Sequence, residues 1–375
     1  MNTLRSHARG RASYLLRICL ALIALTIPIT LAACGGGDDD EGGSSGGGGG
    51  GTLVVGGWGG AYNEATQQFY GDPFAADGGA KLQFVDAPGT QLARLQAQEK
   101  AGNTEWDMLD SIAGADAFIA YDKGLLEPLP EDLKSKLVDT LGEEKVSDFG
   151  FTMGSLGNVI VCNMDNMDTC PASMEEFYDA DAFPQDRMLA GFGPLYLATT
   201  AMIANGVAPA DTPTTDVDID AVFDTLDGVR PNVKVFWESG DQQEQVIRSG
   251  EVDMGIMWSG RAYRLINNGV NLKVVWDGGA YEPGYWAVVK GAPNKDEAFR
   301  FMEWIADHPE EQAKWSQELD YSVPNPAALD SLPKKEADQL VDNPVNFDKL
   351  GVPNWDWYIE NADELNQRFS DYLKG

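Results

Sequence analysis

The chain has 375 residues and a formal charge of −32, with 59 acidic against 27 basic side chains. That imbalance excludes nucleic acid as a partner, because a phosphate backbone demands a basic surface. Only two histidines occur, His7 and His308, so a histidine-rich metal site is excluded and any Ser-His-Asp or Cys-His pair depends on His308.

Residues 1–33 read as a lipoprotein signal peptide. Arg5, Arg9, Arg11 and Arg17 make a basic start without an acid, and Ile18 to Leu31 is an apolar run too short for a comfortable membrane span. Leu31-Ala-Ala-Cys34 resembles the bacterial lipobox, whose cysteine is lipidated and becomes the mature N-terminus. An uncleaved one-span anchor is the competing reading. Residues 34–51 are almost wholly Gly, Ser, Asp and Glu; they cannot bury a core and read as a flexible tether. Anchor and tether together imply a globular body held near a membrane and free to turn.

The body opens with Leu53-Val-Val55, a short buried strand, then Gly56-Gly-Trp58-Gly-Gly60. A helical spacing follows through Tyr62, Ala65, Phe69 and Tyr70. Strand, glycine loop and helix make the first unit of an α/β domain, and ligands collect at the carboxyl ends of such strands. Gly59 and Gly60 let backbone approach a ligand, and Trp58 offers it a flat apolar face. An ordinary tight turn with a core tryptophan is the plain alternative. No Gly-Lys-Ser/Thr follows, so the loop is not a phosphate cradle. Lys81–Val85 reads as a second strand, 90–100 as a helix, Trp106–Ser111 as a third strand and 115–123 as a helix. Gly124, Pro128 and Pro130 then break the pattern. The alternation predicts a mainly parallel sheet with helices on both faces.

Phe151 to Asn163 is a glycine-punctuated run entering an apolar strand, and it reads as a crossing between lobes. Cys162 and Cys170 remain alone in the mature body; a local disulfide is expected, with a reactive Cys162 as the alternative. Asp216 to Asp227 imitates a calcium loop, but Ala221 stands at the glycine position and Asp227 replaces the closing Glu. An amphipathic helix with acids at its positive end suits the segment better. Val233 to Arg261 holds two apolar strands that each end in tryptophan, Trp237 and Trp258, with a helix between them. Such aromatics at strand ends suit a cleft, although core tryptophans are common. Leu272–Trp276 and Tyr281–Val289 read as further strands, Phe299 to Ile305 as a helix, and His308 as a cap before Pro309.

In this order the features resemble the bacterial extracellular solute-binding proteins of ABC importers, in the group containing the spermidine/putrescine-binding proteins. The resemblance spans residues 52–375. It rests on Val55-Gly-Gly-Trp-Gly-Gly60, Gly250-Glu-Val-Asp-Met-Gly-Ile-Met-Trp258, Pro293-Asn-Lys-Asp-Glu-Ala298 and Tyr321-Ser-Val-Pro-Asn-Pro-Ala-Ala328. It implies an α/β, two-lobe periplasmic-binding-protein fold of type II with a ligand cleft between the lobes. Residues 52–156 plus about 285–325 would form lobe 1, and 157–284 plus about 326–375 lobe 2. It also implies a monomer without cofactor or catalysis, exported and lipid-anchored at the outer face of the cytoplasmic membrane. Such a protein hands a small molecule to ABC permease subunits.

Residue by residue, Trp58 matches the family's first-loop aromatic and Tyr62 a nearby polar aromatic. Ser111 matches the serine after the third strand, and Trp258 the aromatic that ends the Gly-Glu-Val strand. Asp356 falls close to a polar ligand contact in the last segment. Two departures bear on the ligand. Polyamine binders carry acids where this chain reads Gly193-Pro-Leu-Tyr196, and the family's late carboxylate corresponds to Gly284, with Glu282 displaced by two residues. Trp58, Tyr62, Trp237 and Trp258 offer faces for a cation, while Glu282 and Asp356 offer its countercharges. An amine-bearing solute is expected, polyamines first. The alternative is an amino-acid or opine-like carboxylate held by Arg261. An exported enzyme would need a catalytic set that the histidine count nearly forbids, and an adhesive surface protein would carry repeats that are not evident.

Overall fold

The computed structural model describes residues 51–375; the leader, the lipobox with Cys34, and most of the tether lie outside them. Ten strands follow in chain order: β1 (Thr52–Gly57), β2 (Lys81–Asp86), β3 (Met108–Ala113), β4 (Gly150–Thr152), β5 (Leu156–Asn163), β6 (Arg187–Ala190), β7 (Val233–Trp237), β8 (Met254–Trp258), β9 (Leu272–Glu282) and β10 (Gly284–Val288). They form two five-stranded sheets, ordered β2-β1-β3-β10-β4 and β7-β6-β8-β5-β9. Each sheet is the floor of one lobe.

β1 runs parallel to β2 and β3, and β6 runs parallel to β7 and β8. β10, however, is antiparallel to β3 and β4, and β5 is antiparallel to β8 and β9. The sheets are therefore mixed, where the strand–helix alternation predicts mainly parallel ones. The chain's path supplies the reason. β5 carries the chain out of the first lobe and β10 brings it back. Each enters its sheet from the end at which the parallel strands finish, and so runs against them.

Helices cover both faces of the first sheet. One face buries Phe74, Trp286, Phe301 and Trp315, and the other buries Trp106, Leu109, Phe149 and Tyr285. The second lobe closes around Phe177, Met188, Leu226 and Ile256. Leu329, Leu332 and Leu340 pack in the first lobe's core, whereas Val341, Leu350, Leu365 and Phe369 pack in the second's. The last return thus falls at Leu340–Val341, later than the expected position near 326. The prolines of residues 321–328 turn the segment without releasing it. Ser316 Oγ donates to the Tyr321 carbonyl, and Asn325 Nδ2 donates to the Ala306 carbonyl, tying it to first-lobe helices.

Three segments cross between the lobes: Met153–Ser155, Pro283 and Leu340–Val341. A buried network joins them. Lys145 Nζ lies 2.7 Å from Asp342 Oδ1, with the two side chains 5% and 1% exposed. The Tyr281 hydroxyl donates to the same carboxylate oxygen at 3.0 Å and lies 2.9 Å from Ser155 Oγ. The Lys145 ammonium also sits 3.6 Å from the centre of the Phe347 ring. A buried ion pair needs such extra partners to offset its desolvation.

Elsewhere, Cys162 at the end of β5 is disulfide-bonded to Cys170, with Cα atoms 5.8 Å apart. Asp216–Asp227 contributes to the helix Ile219–Val229, whose first N–H groups are capped by Asp218. His308 stacks on Trp304 and its Nδ1 bonds the Trp304 carbonyl, at the break between the helices Lys295–Asp307 and Pro309–Leu319. No helix among the described residues is long and apolar enough to cross a membrane.

Candidate functional site: a cleft where strand ends and crossings meet

The parallel strands of both sheets end on the crossing segments, and the expected aromatic residues stand at those ends. Trp58 follows β1, partly exposed, and its Nε1 donates to the Ser111 carbonyl at 2.8 Å. With its N–H committed, the indole is fixed against β3 as a rigid plate. Gly59 and Gly60 take positive φ values of 85° and 52°. A side chain at Gly59 would also meet the Asp86 carboxyl at 3.0 Å, so the turn needs glycine there twice over. Tyr62 lies on the helix Gly60–Thr66, packed edge-on against Trp315.

Ser111 is the pivot of this half. It is one of two non-glycine residues with positive φ among the described residues, the kind of strain that persists where surroundings over-determine it. The Tyr62 hydroxyl donates to Ser111 Oγ, which in turn donates to the Met153 carbonyl at 2.8 Å. The helix Gly60–Thr66 is thereby tied to the first crossing. Burial holds the Tyr62 hydroxyl well above its ordinary pKa, with the nearby Asp110 carboxyl adding to the rise.

The second half is centred on Glu282, the last residue of β9. One oxygen, Oε2, accepts from Asn158 Nδ2 and from Trp258 Nε1, each at 2.8 Å. Burial raises the Glu282 carboxyl above the usual carboxylate range, against the pull of those two donors. Its neighbour Pro283 accepts from Gly114 N, and Gly284 sits so close to Ser111 that an added Cβ would come within 2.9 Å of the serine's own. The second crossing therefore carries Glu282 up to the end of β3. Tyr196, from the helix Pro194–Ala204, has a buried hydroxyl without a hydrogen-bond partner among the described residues. Burial holds the Tyr196 hydroxyl well above its ordinary pKa, and the charges of Glu282 and, more weakly, Asp116 of the first lobe raise it further.

The remaining expected residues stand differently. Trp237 is fully buried; its Nε1 donates to the Ile256 carbonyl, and its ring props Trp258 edge-to-face at 5.1 Å. It is core, because β7 lies at the sheet edge with the helix Gly240–Ser249 and Phe192 packed over its end. Arg261 does not stand free. Its Nη1 donates to Asp241 and Glu244 at 3.0 Å each, and its guanidinium lies over Gly240. Asp356 is exposed in the first turn of the helix Trp355–Lys374; Trp355, beside it, stacks on Phe118 at 4.8 Å instead. Phe192, Asn158, Tyr196 and Asp110 escaped the sequence reading. Phe192 alone left a signal, since Gly191-Phe-Gly193 after β6 repeats the Gly57-Trp-Gly59 pattern after β1. It is 40% exposed and packs on both Trp237 and Trp258.

Residues 70–344 match the family described as bacterial extracellular solute-binding protein. The gamma-aminobutyric acid-binding protein of Pseudomonas aeruginosa is 30% identical over 319 residues, 83% of this chain and 88% of that protein. The spermidine/putrescine-binding periplasmic protein of Salmonella typhimurium is 28% identical over 161 residues, 42% of this chain and 44% of that one. Among solved structures, the Atu4243-GABA receptor superposes with a TM-score of 0.75 at 25% identity, over 86% of this chain and 97% of that one. The two-sheet fold, the cleft aromatics and these matches agree: the chain belongs to the bacterial extracellular solute-binding family, as a substrate-binding protein of an ABC transporter.

Proposed function

We propose that the protein captures a small amine-bearing solute between its lobes and passes it, unaltered, to its permease. The observation that carries this reading is the Glu282 carboxylate, oriented by Asn158 and Trp258 and partly withdrawn from water. An ammonium settling there would regain for the carboxylate the stabilisation that burial removed. Trp58, Tyr62 and Trp258 supply aromatic faces around the same cation.

The solute we favour also bears a carboxylate, as gamma-aminobutyric acid does. Support comes from the relative that binds it, which aligns with twice the share of this chain that the polyamine binder does. Arg261 is the partner we assign to the solute's carboxylate, exchanging part of its bonding to Asp241 and Glu244. A diamine is the second reading, and Asp116 favours it: a second partly buried carboxyl beside Tyr196 suits a second ammonium.

We further propose that the protein works as a monomer, without cofactor or turnover, held by a lipidated Cys34 at the outer face of the cytoplasmic membrane. Native mass spectrometry of protein purified without refolding tests the solute directly. A co-purified amino acid of the gamma-amino kind is expected. A bound sugar, or a solute lacking any amine, would overturn the reading.

A further inference from the structure

Asp110 lies immediately before Ser111 on β3 and is fully buried, and neither carboxyl oxygen has a hydrogen-bond partner among the described residues. An ionised carboxylate buried there without a basic side chain beside it would be costly. What surrounds it is aromatic and polar but uncharged. The Tyr62 and Ser111 hydroxyls lie beside it, and Tyr70 feels it from the π-helical turn Gln67–Gly71. Glu311, on the helix Pro309–Leu319, bears on Tyr70 from the far side and makes ionisation there harder still. No Lys, Arg or His among the described residues bears on Asp110. Burial pushes the carboxyl up to about 8, against the opposing pull of the two hydroxyls.

We propose that Asp110 is a specificity-determining countercharge for the ligand, a carboxylic acid in the empty cleft that becomes a carboxylate when a cation settles on Trp58 and Tyr62. This rests on the amine reading above. Tyr62 links Asp110 to the Trp58 loop: its partly exposed ring follows Gly59 and Gly60 and packs on Trp315 and Tyr321, and its hydroxyl lies beside Asp110 and Ser111. When an ammonium arrives, the Asp110 O–H bond breaks, the carboxylate keeps the electron pair, and the proton leaves to solvent. The Tyr62 hydroxyl, now donating to Ser111 Oγ, can then turn its single proton to the anion, while Ser111 keeps its bond to Met153. The device discriminates by charge. A neutral isostere of the ligand leaves Asp110 protonated and gains nothing from it.

Titration calorimetry with gamma-aminobutyric acid and with putrescine, in buffers of different ionisation enthalpy near pH 7, reads the proton. Close to one proton released per ligand is expected, with affinity rising up to about tenfold per pH unit below the Asp110 pKa. Glu282 and Asp116 are the other carboxyls able to release a proton here, so Asp110→Asn separates Asp110 from them. It should abolish most of the release and flatten the pH dependence while the protein still unfolds cooperatively. No release from the wild-type protein, or undiminished release from Asp110→Asn, overturns the proposal. If neither amine binds, the solute reading has failed on its own, and infrared spectroscopy of the ligand-free protein decides Asp110. A protonated-carboxyl band at about pH 6 that fades above pH 8 upholds the buried acid; its absence overturns it.

Discussion

Glu282 and Trp237 illustrate how unequally two strand-end residues can serve the cleft. Replacing Glu282 by Gln keeps an acceptor for Asn158 and Trp258 but removes the charge. We expect binding of an amine to weaken by about 10- to 100-fold, the worth of a charge-assisted hydrogen bond, with little change in Tm. Trp237→Ala should do the opposite, costing about 3–5 kcal/mol of stability as a core cavity. Thermal unfolding beside calorimetry separates the two effects. Asp110 adds a pH signature to stability. Its folded-state pKa lies above the unfolded value, so the folded protein holds a proton that the unfolded chain gives up. Stability should therefore fall as pH rises from the ordinary carboxylate range through about 8. Asp110→Asn should remove that slope in a Tm-against-pH series. At this scale the sequence was informative where glycines bracket an aromatic after a strand, as at Trp58 between Gly57 and Gly59. It was silent on Asp110 and Tyr196, because one residue's neighbours across a sheet or a cleft leave no local trace.

At the scale of elements, the crossings do more than connect. Lys145 comes from the first lobe, Ser155, Tyr281 and Asp342 from three different crossing regions, and one carboxylate holds them together. Removing the lysine's charge with Lys145→Met strands Asp342 in a dry site, and we expect a loss of about 3–5 kcal/mol in urea unfolding. Tyr281→Phe should cost only about 1 kcal/mol, since the ion pair remains. Equal losses from the two variants would contradict a network anchored on the ion pair. The order of strands and helices was legible because apolar periodicity changes at glycine and proline. The directions of β5 and β10 were not, because a strand's sequence reads alike in either direction through a sheet. The position of the last return was hidden for a related reason. Prolines in residues 321–328 mark a bend, and only the packing of Leu329, Leu332 and Leu340 reveals which lobe the bend stays on.

The whole molecule is two α/β lobes joined by crossing segments, and the ligand groups we propose stand at strand ends of both lobes and beside the crossings. Glu282 directly precedes the Pro283 crossing and Asn158 lies on β5 just past Ser155, while Trp58 belongs to the first lobe and Tyr196 to the second. Membrane attachment belongs to the same scale: Cys34→Ala should abolish incorporation of a fatty-acid analogue in metabolic labelling, and undiminished labelling would remove the lipid anchor from the account. In the reading we propose, the cleft recognises an ammonium through Glu282 and a carboxylate at the solute's other end. Isothermal titration of wild-type protein and Glu282→Gln with gamma-aminobutyric acid, putrescine and spermidine tests it most directly. Tightest binding of gamma-aminobutyric acid to the wild-type protein and a marked loss in the variant are expected; polyamine binding tighter than that of the amino acid, or affinity indifferent to Glu282, would overturn this reading.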